Sequence, residues 1–133
     1  MIMECHAYYL EKMKVKIVMN GKDFIIDAER IEGNAPMDTI ISALAACTTI
    51  SIITILKRMH EDFKDFSSHL SWEQETDPPR VLKKIELLYS VSGKVSEESM
   101  EKAINLTFQK YSPSAVMLQR AGVELKHSFK IEQ

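Results

Sequence analysis

Residues 35–59 read APMDTIISALAACTTISIITILKRM, and the stretch TIISALAACTTISIITIL, residues 39–56, carries no charged side chain. Pro36 suits the first position of a helix, where the missing N–H has no partner to lose. Asp38 falls in the first turn, where the helix dipole favours an anion, and Lys57-Arg58 close the run. The pattern predicts a helix from Pro36 to about residue 61, apolar on every side through its centre, which must be covered on every side. A chain of 133 residues buries a modest fraction of its surface. A second copy of the chain is therefore expected to complete the cover, as a symmetric dimer. A membrane span needs about 20 predominantly apolar residues. Ser42, Thr48, Thr49, Ser51, Thr54 and three alanines dilute this run, so a core helix and no membrane are expected.

Working outward, the residues before Pro36 read as strands over 6–10, 13–19 and 24–28. Asn20-Gly21 stands between apolar runs, a strong hairpin signal. Residues 29–35, with Gly33-Asn34, read as a loop. Beyond the helix, residues 67–74 alternate around Leu70 and Trp72. Residues 83–92 alternate through Ile85, Leu87, Tyr89 and Val91, the period of a strand. Asp77-Pro78-Pro79 cannot continue a ladder and marks the connection between them. Gly93 is expected to end the second of these strands.

Ser96 followed by Glu97 and Glu98 is a helix start. Met100, Ala103, Ile104, Thr107, Phe108 and Tyr111 form one helical stripe. Pro113 breaks that helix. Residues 114–121 predict a short third helix stopped by Gly122, and residues 123–131 a final strand with His127 packed beside Leu125 and Phe129. Strands, helix, strands, helices and strand in that order give an α+β fold class in one compact domain.

Composition excludes several classes. The net charge is −2, with basic residues scattered, so no nucleic-acid footprint is present. Apolar residues make up 45% of the chain, enough for a core and against global disorder. There are two cysteines, Cys5 and Cys47, with no CxxC pair and no metal-ligand spacing to His6, His60, His69 or His127. The first residues lack a basic region followed by an apolar core, so no signal peptide is expected. A reducing, cytoplasmic setting with a free thiol at Cys47 follows.

The residues of the long helix, with Pro36 and Cys47, resemble the first helix of the OsmC/Ohr family, the osmotically inducible and organic hydroperoxide resistance proteins. The likeness continues through Pro79-Arg80-Val81-Leu82-Lys83-Lys84-Ile85, the helix ending Lys110-Tyr111, the segment Ser114-Ala115-Val116-Met117-Leu118 and the last strand. It implies that residues 1–133 form a single OsmC-like domain within an intertwined homodimer whose two active sites lie at the subunit interface. It also implies thiol chemistry on a small hydroperoxide: a cysteine thiolate attacks the O–O bond, becomes a sulfenic acid and is recovered through a second cysteine. Cys47 occupies the place of the peroxidatic cysteine.

Three departures from the family pattern set the questions. Ser112 stands where the resolving cysteine normally follows the tyrosine. Met37 stands where the hydroperoxidases place a glutamate, and Asp38, nine residues before Cys47, is half a turn out of phase with it. No arginine precedes Arg30, so Lys14 or Lys16 is left as a substitute without the planar guanidinium fork.

Cys47 lies about three turns into its helix, too far for that dipole to lower its pKa. The start of the third helix, with Ser112 donating to the sulfur, is the alternative source. A sulfenic acid at Cys47 with no cysteine at 112 reacts with an external thiol or oxidises irreversibly. The cycle therefore needs a low-molecular-weight thiol such as coenzyme A. Cys5, beside His6 near the terminus, is more often incidental than resolving. Two functions remain open: a thiol-dependent hydroperoxide reductase with Cys47 as nucleophile, or a catalytically degenerate module holding a small apolar molecule or a thiol cofactor at the dimer interface.

Overall fold

The computed structural model describes residues 1–132. They fall into two compact units, Met1–Ser42 and Ala43 onward.

The first unit is a three-stranded antiparallel sheet in the order β1 (His6–Glu11), β2 (Lys14–Met19), β3 (Lys22–Asp27). Asn20 and Gly21 connect β2 to β3 with φ of 53° and 72°, the double positive φ of a two-residue turn whose twist matches its strands. The Asp27 carboxylate, buried at the end of β3, accepts the backbone N–H groups of Glu29, Ile31 and Glu32. Those three bonds organise the loop and hold the carboxyl below its ordinary pKa. The loop delivers Pro36, and α1 runs Pro36–Arg58. Asp38 accepts the N–H of Ala35 at 2.9 Å and receives Arg30 through Nε at 2.7 Å and Nη2 at 3.0 Å. A carboxylate at the third helical position thus caps the residue before Pro36.

In the second unit β4 (Asp62–Gln74), β5 (Leu82–Lys94) and β6 (Glu124–Glu132) form a sheet in that order, β4–β5 antiparallel and β5–β6 parallel. The parallel pair needs a long connection, supplied by α2 (Glu97–Leu106), a π-helical turn (Thr107–Tyr111) and α3 (Pro113–Arg120). The α+β reading holds. Ile85, Leu87, Tyr89 and Val91 of β5 are all fully buried, which is the alternation read from the sequence. On α1, Leu44, Thr48, Ile52 and Leu56 form a fully buried four-residue repeat. Tyr89 donates to Thr48 Oγ1 at 2.6 Å, and Thr48 donates to Leu44 O at 3.0 Å. A helix hydroxyl returned to the preceding turn removes its own desolvation cost.

Several boundaries differ from expectation. Helix α1 ends at Arg58, because the chain turns through His60 at φ 61°. Strand β4 starts at Asp62, five residues before the expected start at 67. Gly93, at φ 104°, lies inside β5, opposite the bulge between Phe63 and Phe66. A Cβ there would lie 2.8 Å from the Asp62 carbonyl oxygen and the Lys64 nitrogen. Pro113 opens α3 instead of lying outside it, with Ser112 as the cap. Tyr111 leaves the buried stripe of α2 and is 48% exposed, because the π turn accommodates one extra residue.

By length and composition α1 is apolar enough to cross a membrane, yet only 28% of its most apolar 18-residue window is buried by the chain. Ile40 and Ile50 are 45% and 65% exposed.

Candidate active site

The site grows from two helix features. Cys47 lies midway along α1, one position before the buried Thr48, so its side chain emerges at the margin of the packed stripe and is half-buried. Ser112 is brought to it from 65 residues away by the π turn, whose closing bond runs from the Ser112 N–H to Thr107 O at 2.9 Å. Thr107 is fixed in turn by a shared hydrogen bond with Ser51 of α1 at 2.9 Å.

Ser112 is fully buried and its hydroxyl has two duties. It donates to Cys47 Sγ at 3.1 Å and accepts the N–H of Ala115 at 3.3 Å as the cap of α3. Pro113 at the first helical position leaves the next N–H, that of Ser114, free of any helical partner. Burial pushes the Cys47 thiol up. The Ser112 hydroxyl and the hydroxyl and backbone N–H of Ser114 oppose it, and the net effect leaves the thiol more readily ionised than an ordinary cysteine. No cation contributes to that shift. Cys47 and Ser112, expected from the sequence to be nucleophile and donor, therefore stand in direct contact, with the helix start of α3 behind them.

A groove of about 600 Å³ opens from the sulfur along α1. Its floor is Ile50, Ser51, Thr54, Ile55, Arg58 and Met59, with Leu106 and Tyr111 on the other wall. Counted from Cys47 these α1 residues fall at +3, +4, +7, +8, +11 and +12, one continuous helix face. The groove is mostly apolar, and among the described residues Arg58 is the one cationic side chain that lines it. No carboxylate pairs with Arg58 among the described residues.

The other candidates fall elsewhere. Arg30 is engaged by Asp38. Lys14 is nearly buried, with its ammonium bound to Glu11 at 3.1 Å and Glu32 at 3.0 Å. Lys16 lies over the Tyr8 ring. Cys5 is exposed near the chain start. His127 packs against Phe108 with ring centroids 4.6 Å apart and the rings tilted by 32°, and burial lowers its pKa. No group of three metal-ligating side chains occurs among the described residues. Arg58 escaped the sequence reading, which looked for a cation in the N-terminal strands. Its spacing of eleven residues from Cys47, within about 20° of three full turns, is the signal that places it on the same face.

Comparison with known proteins bears on the fold and the family. A family model described as OsmC-like protein matches residues 26–128. Protein YhfA of Escherichia coli is 29% identical over 98 residues, covering 73% of this chain and 72% of that protein. The crystal structure of an OsmC-like protein from Mycoplasma pneumoniae superposes with a TM-score of 0.88 at 16% identity, covering 100% of this chain and 99% of that one. An organic hydroperoxide resistance protein OsmC from Legionella pneumophila superposes at 0.74 and 14% identity, covering 98% and 97%. Such identities carry the fold, and the family match, which spans most of the sequence, carries the assignment. The chain belongs to the family of OsmC-like proteins.

Proposed function

We propose that this protein reduces organic hydroperoxides in oxidative-stress defence, with Cys47 as its single peroxidatic thiol. The observation that carries the reading is the sulfur itself. It is reachable from an apolar groove, receives a hydrogen bond from Ser112 at 3.1 Å and is favoured as thiolate by Ser114. The thiolate attacks the distal oxygen of the hydroperoxide, the O–O bond breaks, and the alkoxide leaves and takes a proton. Cys47 becomes a sulfenic acid. The Ser112 hydroxyl, already aimed at the reacting atom, holds the thiolate in place for that attack.

Ser112 offers no sulfur, so the cycle closes through outside thiols. A small thiol condenses with the sulfenic acid, releasing water and leaving a mixed disulfide. A second thiol displaces Cys47 and restores it. An organic hydroperoxide with excess small thiol should therefore give turnover that disappears in Cys47→Ser. Equal rates for the two proteins refute the reading.

The working form is a homodimer in the cytoplasm. Support comes from α1, which buries Leu44, Thr48, Ile52 and Leu56 as a core helix does, yet leaves Ile40, outside the groove, open. A second copy, rather than lipid, covers that face. The size and apolar character of the groove favour one alternative, a module that only holds an apolar molecule or a thiol cofactor. Mass spectrometry of the native protein separates the two, since a holding module retains its ligand through purification and does not consume hydroperoxide.

A further inference from the structure

The groove is chemically asymmetric. One end is a nucleophilic sulfur with hydroxyl and amide donors around it, the middle is apolar, and the far end is the unpaired guanidinium of Arg58. Eleven residues of helix separate the ends, about 16 Å along the axis. Helical side chains lean toward the N-terminus, so the guanidinium reaches back along the groove and the two functional groups lie on the order of 10–15 Å apart. Nothing in the hydroperoxide step needs a charge at that distance. The resolving step does have room for one, because Ser112 obliges the sulfenic acid to recruit a thiol from solution.

We propose that Arg58 selects the reducing thiol, and that the groove takes a thiol carried on an extended arm ending in an anionic group, with the anion on Arg58 and the sulfur at Cys47. This rests on the peroxidase reading, because the sulfenic acid of that cycle is what the thiol meets. An arginine presents a planar fork matched to phosphate or carboxylate. The apolar floor formed by Ile50, Ile55 and Met59 suits an arm with methylene groups, and the Ser51 and Thr54 hydroxyls lie along it for polar atoms of the arm. The chemistry balances as above: the thiol loses its proton and its sulfur bonds to Cys47 Sγ, the sulfenic oxygen leaves as water, and a second equivalent of the same thiol carries away the disulfide.

Coenzyme A and pantetheine share one thiol arm and differ in the phosphates and the adenosine; 4′-phosphopantetheine, which adds only a terminal phosphate to pantetheine, isolates the contribution of the anion and should rank with coenzyme A. With an organic hydroperoxide saturating, wild-type protein should show kcat/KM for coenzyme A about fivefold or more above that for pantetheine at low salt, since exposed pairs are worth up to about 1 kcal/mol. The ratio should shrink as salt screens the charge. In Arg58→Gln the ratio should fall to near one, and Arg58→Lys should restore part of it. Equal rates for the two thiols in the wild type, or a preference that survives in Arg58→Gln, overturns the proposal. A second assay needs no peroxidase activity. The disulfides of coenzyme A and of pantetheine are offered to reduced protein, and formation of the adduct on Cys47 is followed by intact mass. The same ratio and the same loss in Arg58→Gln are expected. Exchange that shows the preference while hydroperoxide leaves Cys47 unoxidised sinks the peroxidase reading and retains Arg58 as the anion site; exchange without preference sinks the assignment of Arg58.

Discussion

Replacing Ser112 with alanine removes two things at once, and the structure says how large each should be. The first is the hydrogen bond to Cys47 Sγ at 3.1 Å. A hydrogen bond to a charged atom contributes about 1.5–3 kcal/mol, and the partial exposure of Cys47 places this one at the lower end, roughly a tenfold loss of thiolate at neutral pH. A more basic thiolate is also a better nucleophile, with a Brønsted coefficient of about 0.4–0.5, which returns about half of that loss on a logarithmic scale. Alkylation of Cys47 by iodoacetamide near pH 7 should therefore slow by about three- to fourfold, and its midpoint against pH should move up. The second loss is the cap of α3 at Ala115 N, which costs about 1 kcal/mol of stability and a few degrees of thermal midpoint. The assay is the alkylation rate against pH, with the thermal midpoint measured on the same samples. A pH profile identical to wild type alongside a lower thermal midpoint would show that Ser112 only caps the helix, and the account of thiolate activation would fail.

The remaining predictions concern the same helix and its neighbours. Ser112→Cys puts a second sulfur where the hydroxyl touches Cys47; one equivalent of hydroperoxide should give an intramolecular disulfide, read as a 2 Da loss by intact mass, and a lasting sulfenic acid would contradict the geometry. Because the folded thiol ionises more readily than the unfolded one, its contribution to stability is complete above the unfolded thiol pKa and disappears as pH falls through the folded value. The thermal midpoint of the wild type should consequently gain on that of Cys47→Ser as pH rises through that window, and parallel curves would refute the shift. Tyr89→Phe takes away the donor to Thr48 Oγ1 at 2.6 Å; chemical denaturation should show a loss of about 1 kcal/mol, with Cys47 alkylation unchanged.

What the chain determined by itself is local. Pro36, the uncharged run and Lys57-Arg58 delimit α1 because a helix start, a helix interior and a helix end each need particular residue types within one turn. The alternation of Ile85, Leu87, Tyr89 and Val91 reveals β5 because side chains on a strand change face at every residue, and Asn20-Gly21 reveals its turn because few other residues tolerate two positive φ angles in succession. Cys47 stands out for the same reason, as a thiol inside a segment whose helical identity is plain. Tertiary structure decided the rest. The π turn at Thr107–Tyr111 follows no pattern in the sequence, since its extra residue is stabilised by contacts such as that between Ser51 and Thr107, and it alone carries Tyr111 outward and Ser112 onto the sulfur. Arg58 and Cys47 share a face by helical arithmetic that the sequence contains, but the groove joining them exists only once Leu106 and Tyr111 supply its second wall. The start of α3 with Ser112 was legible as a candidate source of thiol activation, but that it reaches Cys47 across a separation of 65 positions was decided by the tertiary structure, because backbone direction over such a separation is fixed by packing, not by propensity.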